Sequence, residues 1–179
     1  MQQPDTPVEV LSGTVEGGLR WIVVASGDQV DLSTMLQVFR GEPKVADAGF
    51  GGPGLYPGSV INEWRGQADD LPFFVMARVS PNVDRVIATT AKGTEIVLAM
   101  SPPVERFGLR FAAAALPPGE RPGSIRAERE GITLETRQQP MPPPRPPNRN
   151  RPASSQHGAH GNPSLMTWPD ALSCRRPSG

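Results

Sequence analysis

Residues 73–100 read FFVMARVSPNVDRVIATTAKGTEIVLAM, and this stretch decides the fold class. It holds three runs rich in β-branched and aromatic residues, at 73–79, 83–90 and 94–100. Such residues favour strands. Ser80-Pro81-Asn82 separates the first two runs, and Ala91-Lys92-Gly93 puts a glycine where a short hairpin loop needs a left-handed residue. The stretch therefore predicts three consecutive strands joined by tight turns.

The chain after residue 100 continues the strand pattern. Phe107, Leu109 and Phe111 alternate with Arg and Gly residues, which predicts a half-buried strand. A further hairpin is predicted with its turn at Glu130-Gly131. In that hairpin, the apolar positions 125 and 127 face positions 132 and 134, so all four side chains are expected in the core.

The chain before residue 73 carries a weaker strand signal. Residues 19–26 predict a strand by their β-branched and aromatic content. Residues 31–40 fit helical spacing and strand alternation equally well, and we favour a strand because a turn most simply returns the chain beside its neighbour. Residues 41–72 are interpreted as irregular, apart from a short strand at 60–64. Residues 1–18 are interpreted as a flexible lead-in that could supply an edge strand at 8–11.

These elements together predict an all-β fold. Seven to nine short strands, with turn signals about every 8–12 residues, are typical of a sandwich or barrel. We expect an immunoglobulin-like β-sandwich over residues 19–137. From residue 138 to residue 179 the periodicity stops, and 10 of those 42 residues are proline. This composition predicts a disordered, Pro-rich, basic C-terminal tail.

Part of the chain resembles a module of known distribution. The matching segments are 79–86 (VSPNVDRV), 93–95 (GTE), 111–117 (FAAAALP), 125–127 (IRA) and 131–132 (GI). Over about residues 73–135 they resemble a C-terminal β-module found in many uncharacterised proteins of high-GC Gram-positive bacteria. The resemblance implies an immunoglobulin-like β-sandwich in a regulatory or envelope-associated protein. It implies no activity, and the cysteines of some relatives are missing here.

The inventory of reactive side chains argues against an enzyme and against a metal site. Cys174 is the only cysteine, and His157 and His160 are the only histidines. All three lie in the predicted tail, so the body has neither a Ser-His-Asp nor a Cys-His constellation, and no cysteine-based zinc site. We therefore expect no enzymatic activity, no cofactor and no bound metal.

The charge distribution is asymmetric within a neutral total. Residues 1–137 carry 13 Lys and Arg against 17 Asp and Glu, whereas the tail carries five Arg against Asp170. This asymmetry is too weak to predict nucleic-acid binding. The N-terminus has no signal-peptide pattern, and apolar runs such as residues 21–25 are far too short to span a bilayer. We expect no membrane insertion and a cytoplasmic protein, with the soluble part of an envelope-associated protein as the alternative.

A Gly-rich loop at residues 49–58 (GFGGPGLYPG) is the first candidate for a binding site. Glycine-rich backbone can cradle a phosphate, but the Gly-Lys-Ser/Thr ending of a P-loop is missing and Pro57 argues against a following helix. A turn-rich connection between strands is the simpler interpretation. The functional alternative is a recognition loop in which Phe50, Tyr56 and the nearby Trp64 offer an aromatic surface.

The tail is the second candidate for a binding site. Residues 140–147 (PMPPPRPP) favour the polyproline II conformation. Pro140, Pro143 and Arg145 match a PxxPxR ligand pattern for domains with aromatic grooves. A disordered or semi-rigid extension is the simpler interpretation of the same composition.

A non-enzymatic protein-interaction or regulatory module is the function class that this sequence favours. Its partner is expected to be another protein, docked on a sheet edge, on the Gly-rich loop or on the tail. One alternative is a small-molecule or carbohydrate-binding β-protein, with Trp21, Tyr56 or Trp64 lining the site. The other is a structural domain of a cell-envelope assembly.

Overall fold

The computed structural model describes residues 6–138. Within this range it has twelve β-strands and no helix, which confirms the all-β prediction. The predicted tail lies outside the described residues from position 139 onward. In chain order the strands are β1 (Val8–Val15), β2 (Leu19–Gly27), β3 (Leu32–Arg40), β4 (Lys44–Phe50), β5 (Ile61–Gly66), β6 (Phe74–Val79), β7 (Arg85–Thr90), β8 (Glu95–Val97), β9 (Ala99–Met100), β10 (Arg110–Ala115), β11 (Pro122–Arg129) and β12 (Ile132–Gln138).

The strands form three four-stranded antiparallel sheets. The N-terminal sheet is a meander in which β1 to β4 lie in chain order. The middle sheet has the order β5-β6-β10-β9, and the C-terminal sheet has the order β12-β11-β7-β8. Within residues 61–138 the chain therefore passes repeatedly between the middle and the C-terminal sheet.

The strand β6 shows why the middle sheet lies between the other two. All six of its residues are buried. Val75 and Ala77 belong to a core cluster with Val86 of the C-terminal sheet, whereas Met76 belongs to a cluster with Trp21 of the N-terminal sheet. A strand that is buried on both faces reads as a continuous apolar run. The unbroken apolar character of residues 73–77 has this origin.

The structure settles the ambiguity at residues 31–40 and divides the strand predicted at residues 94–100. Residues 31–40 contain β3, which pairs along its whole length with β2, so the favoured strand is the one observed. Residues 94–100, predicted as one strand, form two: β8 pairs with β7 and β9 pairs with β10. The break falls at the buried Leu98, whose amide donates to Val86 O at 2.9 Å. The segment changes sheets at this residue.

The N-terminal half has more strand than the sequence indicates. The interpretation of residues 41–72 as irregular misses β4, which pairs with β3 from Lys44 to Phe50. The expected edge strand at residues 8–11 is the first half of β1, an eight-residue strand with a bulge near Val10. These strands and the division at Leu98 raise the count to twelve, above the expected seven to nine.

The last hairpin corrects the expected placement of Ile132 and Leu134. Its turn lies at Glu130-Gly131, as predicted, and both residues have positive φ. The register then shifts, so that Ala127 opposes Glu135 and not Leu134. A bulge of one residue turns the side chain to the other face of the strand. Leu134 is consequently 41% exposed, and Ile132, which lies between the turn and the bulge opposite the exposed Arg129, is 66% exposed.

Candidate functional site

The side chain of Arg78 on β6 is completely buried. Its five N–H groups are matched by five acceptors, one side-chain oxygen and four backbone carbonyls. The guanidinium also lies over the ring of Phe50, with Cζ 4.0 Å from the ring centroid. The acceptors are Thr34 Oγ1 at 2.8 Å and the carbonyl oxygens of Leu32 (2.6 Å), Phe50 (2.8 Å), Gly52 (3.2 Å) and Pro53 (3.0 Å).

The cluster around Arg78 accounts for the way the backbone of the Gly-rich loop is oriented. Three of the five acceptors are carbonyl oxygens of the loop, so the loop turns its acceptors toward a buried cation. A phosphate cradle needs the opposite polarity, with N–H groups directed inward. Burial lowers the pKa of Arg78 to about 10, and the side chain therefore remains protonated at neutral pH. We conclude that the loop has a structural role, because its backbone carbonyls surround and bind the guanidinium of Arg78.

The three aromatic residues of the loop hypothesis lie in two different places. Phe50 and Trp64 are partly buried and pack against the core between the N-terminal and middle sheets. Tyr56 is 52% exposed and lines a cleft at the seam between the middle and C-terminal sheets. The structure thus brings Phe50 and Trp64 to the same core, while Tyr56 is the one residue of the three that is more than half exposed. Their role in partner binding stays a prediction.

Trp21 is not accessible to a ligand. It is 4% exposed and lies behind Gly13, where an added Cβ would come within 2.4 Å of the indole Cζ2. The crevice beside Trp64 is also unsuited to a ligand. It is walled by apolar residues that include Leu36 and Phe74, and its volume of about 10 Å³ is that of a single water.

The cleft beside Tyr56 is larger, at about 150 Å³. Besides Tyr56 it is lined by Ile61, Asn62 and Glu63, which come from β5, and by Arg137 from β12. It therefore lies where the edge strands of two sheets meet. Arg137 is also the residue before Gln138, the last described residue, so the predicted tail begins next to this cleft.

Two ion pairs stand beside the cleft. Glu63 accepts from Arg65 Nε at 2.7 Å and from Arg65 Nη2 at 2.9 Å. Glu135 is 2.6 Å from Arg137 Nη2 and also accepts from the Val60 amide at 2.7 Å. The Val60 contact ties β12 to the residue before β5, and the two ion pairs hold the charged side chains in place.

The outer face of the N-terminal sheet is apolar at its centre. Alternate residues of β2 and β3 are buried against the middle sheet, so the intervening residues point outward. Val24 lies directly opposite Met35, and Met35 opposite Gly49. An added Cβ at Gly49 would lie 2.6 Å from Met35 Sδ, so glycine lets the thioether lie across β4. The apolar patch consists of Ile22, Val24, Met35 and Phe39, each partly exposed.

The outer face of the C-terminal sheet is different, because ion pairs cover it. Arg126 contacts Glu95 at 2.8 Å and Glu128 at 2.7 Å. The hydrogen bonds that Arg126 donates to these carboxylates, the one to Glu95 first, raise the pKa of Arg126 above its usual value. The C-terminal sheet thus carries ion pairs where the centre of the N-terminal sheet carries apolar residues, and its exposed apolar side chains are Val97, Ile132 and Leu134.

Three further observations concern the tail motif, metal ligands and membrane-spanning helices. Pro140, Pro143 and Arg145 lie outside the described residues. Within residues 6–138 no group of three His, Cys, Asp or Glu side chains is placed to hold a metal ion. The same part of the chain has no helix with the length and apolar character needed to cross a membrane.

Comparison of the chain with family models, with curated proteins and with solved structures finds no match.

Proposed function

We propose that this chain is a non-enzymatic protein-interaction or regulatory module that binds its partner through the outer face of the N-terminal sheet. The observation that carries the proposal is the apolar patch Ile22, Val24, Met35 and Phe39. An antiparallel sheet with one solvated face normally alternates apolar-in and polar-out. Here the alternation fails at Ile22, Val24 and Met35, which Glu9 and Ser12 of β1 border on one side. Gln37 separates Met35 from Phe39, and Arg20 lies over the Phe39 ring, with Cζ 4.5 Å from its centroid. An apolar centre with a polar rim is the usual anatomy of an interface.

The size of this face favours a different protein over a second copy of the chain. Four strands spaced about 4.8 Å apart, with about seven residues rising about 3.3 Å each, cover roughly 440 Å². Two copies joined through this face alone would bury roughly 900 Å², below the ~1,000 Å² of a stable interface. A different protein can reach further by also covering the edge of β4, where Val45 is exposed.

A lysine in the middle of the apolar patch tests this proposal. Val24→Lys is expected to abolish capture of the partner by cross-linking in lysate, because the partner would bury an unpaired ammonium group. Val97→Lys is the matched control, since Val97 is 52% exposed on the C-terminal sheet, away from the patch. Both variants should show the thermal midpoint of the original chain within a few degrees. Partners that are captured equally by both variants would contradict the proposal.

We also infer that β5 to β12 form an immunoglobulin-like sandwich. The orders β5-β6-β10-β9 and β12-β11-β7-β8 support this inference, because they correspond to strands A-B-E-D and G-F-C-C′ of that architecture. In this interpretation the N-terminal sheet is an addition, packed on the sheet that contains strands A, B, E and D. The proposed partner site lies on the added sheet.

A further inference from the structure

Tyr56 is the aromatic side chain most available to a ligand in the described part of the chain. Tyr56 is 52% exposed, whereas Trp21 is buried and Phe50 and Trp64 are partly covered by the core. The cleft beside it has a volume of about 150 Å³. Pockets for drug-sized ligands begin at about 300 Å³, so this cleft has room for one small ring.

The polar groups of the cleft include both donors and acceptors. Asn62 Nδ2 donates to Pro53 O at 3.3 Å, and within the described residues its Oδ1 has no hydrogen-bond partner. The Tyr56 hydroxyl likewise has none there, and it can both donate and accept. Arg137 uses Nη2 for Ser59 Oγ at 2.9 Å and for Glu135, which leaves its other nitrogens for a ligand.

The charges of the cleft cancel. Glu63 is paired with Arg65, and Glu135 is paired with Arg137. Two cations and two carboxylates give the cleft no net charge that would favour an anion or a cation. A neutral ligand with hydroxyl groups can use all of these donors and acceptors without breaking an ion pair.

The side chains around the cleft are held before any ligand arrives. The Arg65 side chain is 8% exposed, and Arg65 Nη2 donates to the Arg137 carbonyl at 3.1 Å. Ser59 Oγ and the Val60 amide hold the Glu135 carboxylate at 3.0 and 2.7 Å. A site fixed in this way loses less entropy on binding.

From the exposed ring, the mixed polar groups, the charge balance and the size, we propose that the Tyr56 cleft binds one ring of a neutral carbohydrate. The apolar face of the sugar ring packs on Tyr56. Its hydroxyl groups bond to Asn62, Arg137 and the Tyr56 hydroxyl. This inference is independent of the partner site on the N-terminal sheet, which uses none of these residues.

The sole tyrosine of the chain makes a direct test available. Tyr56 labelled as 3-fluorotyrosine in the full chain gives a single ¹⁹F resonance. We expect neutral hexoses and their oligomers to shift it saturably, with a Kd on the order of millimolar for a ring of about twelve non-hydrogen atoms. Glucuronic acid and glucosamine, which carry a charge, are expected to shift it several-fold less at equal concentration.

Asparagine variants locate the effect. Asn62→Ala should weaken binding about 3- to 10-fold, which is the range for one lost hydrogen bond. Asn82→Ala, the same change in an exposed turn, should leave binding unchanged. The proposal is overturned if no neutral sugar shifts the resonance up to about 50 mM, well above a millimolar Kd. It is equally overturned if Asn62→Ala binds like the original chain, or if a peptide of residues 139–150 shifts the resonance where the sugars do not.

Discussion

Arg78→Met is expected to lower the free energy of unfolding by about 3–5 kcal/mol. Methionine fills much of the volume, but it donates no hydrogen bond. The substitution therefore leaves the Thr34 hydroxyl and four backbone carbonyls without their donor inside the protein. A buried ion pair can often be replaced by apolar residues without loss, since both charges go together. Here the acceptors are mostly backbone carbonyls, and no substitution at position 78 removes them.

Urea denaturation of the chain at pH 7 measures this effect. Arg78→Lys should lose less than Arg78→Met, because it keeps the charge and three of the five donors. Arg85→Met is the matched control on the next strand. Its side chain is 52% exposed and lies 4.0 Å from Glu128, and a surface pair of that kind contributes about 0–1 kcal/mol. If the free energy of unfolding of Arg78→Met lies within about 1 kcal/mol of that of the original chain, Arg78 does not hold the Gly-rich loop in place.

Met76→Ala is expected to cost about 2–5 kcal/mol, the range for removal of a fully buried methionine side chain. Met76 is 0% exposed because the N-terminal sheet covers this face of β6. Its neighbour Val75 is equally buried, in the core shared with the C-terminal sheet. In a two-layer sandwich each sheet exposes one face to solvent. Only one of two adjacent strand residues would then lose this much stability on truncation to alanine.

Met35→Ala is the control for this prediction. It removes the same atoms from a partly exposed position on the outer face of the N-terminal sheet. Chemical denaturation should show a markedly smaller loss than for Met76→Ala. Equal losses for the two variants would mean that the N-terminal sheet does not cover β6 as described.

The strands near residues 73–100 were predictable because apolar runs and turn residues coincide there. The strand β4 was not, since KVADAGF contains few β-branched residues and ends in the Gly-rich loop. Its stability comes from pairing with β3, which is a tertiary contact that local propensity does not encode. The exposure of Leu134 depends on a single bulge, and a bulge leaves no periodic signal in the sequence.

The candidate sites were predictable only in part. Tyr56 was identified from its place beside glycine and proline, but the loop that carries it is ordered around Arg78, which the sequence analysis did not single out. One signal was present: Arg78 interrupts the apolar run from Phe73 to Val79. A charged residue inside such a run indicates a buried partner. Residue spacing could not show that the partners would be carbonyls of a loop more than twenty residues away.

Native-state hydrogen exchange tests the three-layer arrangement most directly. We expect the amides of β6 and β10 to exchange only by global unfolding, because these strands lie inside the middle sheet. The amides of β2 and β3 should be protected to nearly the same free energy, since their buried side chains share a core with Met76. If β2 and β3 exchange at a much lower free energy while β6 and β10 stay protected, the N-terminal sheet is not a packed layer of this fold.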